Sequence, residues 1–403
     1  MRVISCLLAG ALLLAACGTP APDPNEVLPT RRAEETPFPT LPAPAYQPPS
    51  ERITAANAAS IRYLGRLEQF LSPQSTLFAH AISLDGTRMA ALNNDMLINW
   101  DLVDGTVAFG ETRGGATNVY YSSDKTEIYA VASSGLVRVN DAQRGDDLNE
   151  FQSSVSYNGI SAFYGEDGWL AMGGSDGRVQ VWDTYERRSL VTYAAHTAVL
   201  TGMVFSHDGT RLATAADDGS TIVWDWAKRE ALYTIQTPTA VSALAFSPDG
   251  ERLALASALF VEVHHLDTGT QEYVLDVGVS GGDAVLGFSP DSQYLLTGGT
   301  QDFNIYVLNA ADGSVKLELP NTKGLRTSAV FSPDGDLLAT TVLDGSVTLW
   351  NLAAATETSI PSARLLVGST RITSAEWSQD GYTLAFFDAS GVVFIWGIAS
   401  AER

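Results

Sequence analysis

VLTGMVFSHDGTRLATAADDGSTIVWDW, residues Val199 to Trp226, decides the fold. Val204-Phe205 is apolar and β-favouring. Asp208-Gly209 then supplies a tight turn, because Asp bonds its own backbone and Gly accepts positive φ. Leu212-Ala213-Thr214 starts a second strand, Asp218-Gly219 a second turn, and Ile222-Val223-Trp224 a third strand. A weaker fourth strand, Ala231 to Ile235, follows. No ten-residue helical pattern appears in the body of the chain. Regular short strands with turn signals between them predict an all-β fold.

The unit repeats. The Asp of the first turn recurs at Asp85, Asp124, Asp167, Asp208, Asp249, Asp291, Asp334 and Asp380, at intervals of 39 to 46 residues. Fifteen to seventeen residues later stands a second marker: Trp100, Asn140, Trp182, Trp224, His264, Leu308, Trp350 and Trp396. A fixed period of this length points to a repeat architecture rather than to separate domains.

On these residues the unit resembles the WD40 repeat. Trp-Asp pairs stand at Trp100-Asp101, Trp182-Asp183 and Trp224-Asp225, with Trp350-Asn351 one change away. The resemblance covers roughly residues 61–397. It implies a closed β-propeller of four-stranded blades around a central channel. Eight units are counted. Seven is the commoner number in the family, and the irregular second unit, with Asp124-Lys125 and Asn140, leaves that count open. Ile61 to Leu67 looks like an orphan outer strand, and the last unit stops after its third strand at Ile398. An N-terminal strand completing the last blade would close the ring and remove exposed sheet edges. The family's Gly-His dipeptide is absent, and only the fourth unit has a histidine at that place, His196. The resemblance implies a hydrogen-bonded network of His196, Thr214, Asp218 and Trp224 there, and packing alone in the other blades.

The 403 residues carry 24 Lys+Arg against 46 Asp+Glu, a formal charge of −22. Such a chain is repelled by phosphate, which argues against nucleic acid as a partner. Of its 28 Asp, 16 fill template positions in the turns, so the acidity is read as turn chemistry. The apolar run Val3 to Ala16 is too short to span a bilayer. It ends in Leu14-Ala15-Ala16-Cys17-Gly18, which resembles a bacterial lipobox. An ordinary secretory signal with a chance Cys is the alternative. The lipobox implies a signal peptide over 1–16, a lipidated Cys17, and an extracytoplasmic protein held on a bacterial membrane by acyl chains. Ten of the 17 prolines fall between Gly18 and Ser50, so 17–52 is read as an extended linker and 53–399 as the propeller.

No chemistry stands out. His264 and His265 are adjacent on a strand and point to opposite faces; His264 is read as a Trp substitute. His207 is expected in solvent and His80 on a first strand. Neither a His-Glu-x-x-His set nor a Gly-x-Ser-x-Gly elbow occurs. Each Asp-Gly turn offers one carboxylate, where calcium takes six to eight oxygens. The expectation is therefore no enzyme, no metal and no cofactor. Residues that break the template are the candidates for recognition: Leu259 and Phe260 in the fifth unit, Asp283, and Trp226, expected partly exposed. The leading expectation is a monomeric scaffold that binds a protein or an envelope polymer. The alternative is a propeller enzyme or small-ligand binder using the channel mouth.

Overall fold

The computed structural model describes residues 49–399 apart from 55, 68–78, 93–95, 113–114, 258, 276–285, 299–303, 320–325, 343–344, 354–362, 367–371 and 389–391. Cys17 and Asp283 lie outside the described residues.

The chain forms eight antiparallel sheets arranged as the blades of a propeller. In blade 4 the strands are Leu200–Phe205, Arg211–Ala216, Ser220–Asp225 and Glu230–Gln236, each hydrogen-bonded to the next. Leu212 stands opposite Trp224, and the same register recurs as Met89 with Trp100, Leu338 with Trp350 and Leu384 with Trp396. The count of eight settles the open question about the second unit. It is a full blade whose third strand, Leu136–Asp141, carries Asn140 at the marker position.

Turn chemistry builds each unit. In seven first turns a buried Ser two residues before the Asp donates its hydroxyl to the Asp carboxylate at 2.5–2.7 Å. The same carboxylate oxygen accepts a backbone N–H from two residues further on, as from Thr210 to Asp208 at 3.0 Å. Blade 3 has Gly165 at the Ser position and lacks this bond.

Eight apolar clusters fill the spaces between blades, one for each seam. Second and third strands are buried on both faces, so their side chains do not alternate in and out: Arg252–Ser257 is buried from its second residue to its last. The seam between blade 8 and blade 1 joins the two ends of the chain through Leu64, Met89, Phe387 and Val393. Here strand β1 (Pro49–Glu51) and strand β2 (Arg62–Leu67) both lie antiparallel against Val393–Ala399. β2 pairs Arg62 with Gly397 and Leu67 with Val393, the position of a fourth strand. β1 lies inside the stretch expected to be linker without sheet, and Ser50 fixes it with a 3.0 Å bond to the Ile398 carbonyl.

Leu64 is 1% exposed in that seam. Leu64→Ala is expected to cost about 2–5 kcal/mol through lost burial and a residual cavity. Leu232→Ala, on an outer strand where the side chain is 45% exposed, should stay within roughly 0.5 kcal/mol. Urea unfolding of the two variants checks the contrast.

Candidate functional site

Blade 4 brings His196, Thr214, Asp218 and Trp224 together, with Ser220 between them. His196 Nε2 lies 2.8 Å from Thr214 Oγ1, and the Trp224 indole N–H donates to the same oxygen at 3.0 Å. His196 Nδ1 lies 2.8 Å from Ser220 Oγ, which donates to Asp218 at 2.6 Å. Ser220 thus bridges His196 and Asp218. Burial lowers the pKa of His196, so the ring is neutral here at pH 7. The network ties the connection between blades to the second and third strands of one blade and the turn between them. It faces inward and is structural.

The other blades do not hold by packing alone. In blade 7 the Trp350 indole donates to Thr340 at 2.9 Å, as Trp224 does to Thr214. Each Thr stands ten residues before its Trp. The residues ten before Trp100, Trp182 and Trp396 are Ala90, Met172 and Phe386, and these three indole N–H groups are buried without a partner. In blade 3, Gln180 joins Ser153 and Ser189. In blade 5, His264 takes the Trp register opposite Leu253 and bonds Glu262 at 2.9 Å.

Trp226 is corrected. It is 4% exposed, donates to the Gly209 carbonyl at 2.8 Å and packs on Trp169 and Phe205. It fills a seam and presents nothing outward. Leu259 is 54% exposed and Phe260 partly buried, in a turn held by the Ser257 hydroxyl accepting both of their N–H groups. His207 is exposed in its turn.

The innermost strands line the channel. Most of their side chains are small, apolar or hydroxyl-bearing, but one ionisable pair crosses the blade 8–blade 1 seam. His80, on Ala79–Ile82, places Nε2 3.4 Å from Glu376 Oε2, on Ile372–Trp377. Glu376 Oε1 accepts the Ile82 N–H at 3.3 Å, and the His80 ring stacks on Phe387 with centroids 3.6 Å apart. The side chains are 23% and 30% exposed. Burial lowers His80 to about 4 and raises Glu376 to about 7. The pair therefore keeps one proton between those values. Alongside, buried Tyr121 donates to Asn99, and Asn99 and Arg88 both donate to the Ala142 carbonyl. Glu376 went unsingled in the sequence, although it is an acidic residue on an innermost strand, a signal open to inspection.

All eight first turns join a first strand to a second, and the turn after each Trp-type marker joins a third strand to a fourth. In an antiparallel blade these turns emerge on the same side. One face of the ring therefore collects the eight first-turn aspartates together with Asp101, Asp104, Asp141, Asp183, Asp225, Asp267 and Asp312.

Residues 187–225 and 319–351 match the family model described as WD domain, G-beta repeat. Two units of this propeller are similar to that repeat. Each match ends on a third strand, and these are the strands of Trp224 and Trp350, whose indoles have their Thr partner. Among curated proteins, the chain is 23% identical to the serine-threonine kinase receptor-associated protein of Gallus gallus over 63% of this chain and 72% of that protein. It is 28% identical to periodic tryptophan protein 2 of Arabidopsis thaliana over 45% of this chain, but spans only 20% of that relative's length. It is 33% identical to an uncharacterised WD repeat-containing protein of Synechocystis over 24% of this chain and 28% of that protein. Among solved structures, the computationally designed Ika8 protein superposes with a TM-score of 0.65 at 20% identity, covering 81% of this chain and 97% of that one. That likeness shows the fold.

Two outcomes follow from these bonds. Thr214→Val leaves the Trp224 N–H and one His196 nitrogen buried without a partner, and is expected to cost about 1–3 kcal/mol in chemical denaturation. For the channel pair, the protonated Glu376 contributes stability that is full below the unfolded value of 4.5 and is lost as pH rises through about 7. His80 has the opposite sign: its contribution is present above 6.5 and is lost as pH falls through about 4. Melting temperature should therefore fall on both sides of the intervening window. Glu376→Gln keeps the acceptor for Ile82 and should remove the fall above pH 6.5, a change of about 0.5–1 kcal/mol.

Proposed function

We propose that this protein is a membrane-anchored, extracytoplasmic scaffold that binds a partner protein through its propeller. The observation that carries the reading is a ring of eight blades whose turns, positioned by a rigid frame, form one continuous polar face. Turns on a rigid frame are where binding function resides. The two units similar to WD40 repeats support it, since propellers of that family are generally non-enzymatic scaffolds. The receptor-associated relative, by its name, attends another protein.

Anchoring rests on Leu14 to Gly18 and the prolines that follow. Diacylglycerol on Cys17 would hold the chain at a bacterial membrane, with 17–48 as the tether and the propeller free to meet partners of the envelope. The acidic body is repelled by anionic lipid headgroups and by nucleic acid.

A second reading is favoured by one observation, the His80–Glu376 pair with its displaced proton affinities. A small ligand carrying a hydrogen-bond donor and acceptor would meet both at the channel wall. Residues that bind a metal set are not gathered there: among the described residues, no group of three or more His, Cys, Asp or Glu is placed to hold an ion.

The test of the main reading is crosslinking in intact cells from Leu259 and from Val103, on opposite sides of the ring, followed by mass spectrometry. Reproducible capture of the same protein from one side is expected. A purified protein that turns over a small substrate and captures no protein from either side would overturn the scaffold. Palmitate labelling of wild type and Cys17→Ser checks the anchor: label should disappear in the variant, and equal labelling refutes lipidation.

A further inference from the structure

A pocket opens in the acidic turn face at the seam between blade 8 and blade 1. It measures about 190 Å³ and is lined by Pro49, Leu102, Val103 and Tyr382 on its apolar side, and by Asp85, Asp380 and Thr383 among its polar groups. Water takes about 30 Å³ per molecule, so the space holds roughly six waters or one long side chain.

Two features set this seam apart. The first is apolar exposure. Val103 is 55% and Tyr382 38% exposed, both on the pocket wall, and Leu84, 44% exposed, is next in sequence to Asp85. Clustered exposed apolar side chains beside polar groups mark interaction sites, where scattered ones do not. The second is the placement of Asp380. Its Oδ1 accepts the Ser378 hydroxyl and the Tyr382 N–H. The carboxylate lies over Gly86 of blade 1, so close that a Cβ there would sit 2.7 Å from Oδ2. Gly86 has φ +66°, so its backbone conformation also disfavours any side chain. The absence of a side chain at 86 keeps the carboxylate at the pocket rim.

Asp85, on the opposite wall, is already committed: Lys125 holds its Oδ2 at 2.7 Å. Arg52 lies over neighbouring Gly381. The carboxylate that remains for a visitor is therefore that of Asp380.

We propose that this pocket receives a single arginine or lysine side chain from a partner protein, with the cationic head on Asp380 and the aliphatic stem against Val103, Leu102 and Tyr382. The inference rests on the scaffold reading and names the chemistry of its partner. Long cationic side chains bury apolar stems while their heads stay polar, and this pocket has that order of surfaces. A guanidinium offers a carboxylate two parallel N–H donors, which an ammonium does not, so arginine is the better fit. Leu84 and the exposed part of Tyr382 then meet an apolar residue beside the cation. The acidic face around the pocket steers such a segment in.

The test uses the full-length protein with labelled methyl groups, titrated with Nα-acetyl-arginine amide and with its neutral isostere, Nα-acetyl-citrulline amide. Saturable shifts of the Val103 and Leu102 methyls are expected with arginine, at about tenfold lower concentration than with citrulline. Asp380→Asn keeps the acceptor for Ser378 and should bring arginine down to the citrulline level. Val103→Lys, at an exposed position, fills the pocket with its own cation and should abolish the shifts in a protein that melts as wild type does. Equal responses to the two probes overturn the proposal. So do equal responses in wild type and Asp380→Asn, or shifts of similar size at first turns all round the ring, which mark only a counter-ion atmosphere. Crosslinking separates this proposal from the scaffold reading. A partner captured equally by wild type and Val103→Lys keeps the scaffold and removes the pocket. Arginine binding lost in Asp380→Asn, with no partner captured from either side, keeps the pocket and removes the scaffold.

Discussion

Each blade of this protein buries both faces of its sheet against a neighbour, and no blade has an alternative surface to cover them. That constraint governs the molecule. A four-stranded sheet left with one open face exposes the leucines, valines and alanines of its second and third strands. Only a closed circle of blades leaves none exposed. Seven of the eight seams join consecutive units of the chain. The eighth is made between the two ends, by β1 and β2 on the last blade and by Leu64, Met89, Phe387 and Val393 between blades. The His80–Glu376 pair and the arginine-sized pocket both lie at this eighth seam.

Within a blade, the local bonds vary more than the architecture does. The Ser-to-Asp bond recurs in seven first turns, because a turn must satisfy its own donors wherever it stands. The Thr-to-Trp bond occurs in two blades and fails in three others where the Thr is Ala, Met or Phe. Those three tryptophans still occupy the same register and fill the same space. Packing is thus the common requirement, and the polar bond is an addition that blades 4 and 7 retain.

Much of this was legible in the sequence. The period, the two kinds of turn and the marker residues give strands, blades and their number, since each unit repeats the same short-range chemistry. The network of His196, Thr214, Asp218 and Trp224 was implied by the family resemblance and not by spacing alone, and Ser220, two residues beyond Asp218, was passed over. Trp226 was misjudged because its exposure depends on Trp169 and Phe205, one in the neighbouring blade and one on an innermost strand. Glu376 and His80 lie 296 residues apart, and nothing local links them; their meeting is a product of closure. The acidity was correctly traced to turns, but counting turns by parity would have shown more. Alternate turns of an antiparallel blade share a side, so the same aspartates that define the repeat also polarise the ring.

The pairing of β2 with the last strand has a temporal meaning. Residues 62–67 are made about 330 residues before their partners, 393–397. Until then the first blade has no neighbour on one side, and the growing array ends in an open apolar sheet face. Contacts of such long sequence separation form late and slowly. Incomplete chains keep that face uncovered, where it is prone to aggregate or be recognised as unfinished. The wrap-around strand therefore acts as a completeness check: only a chain translated to its last blade can hide its first.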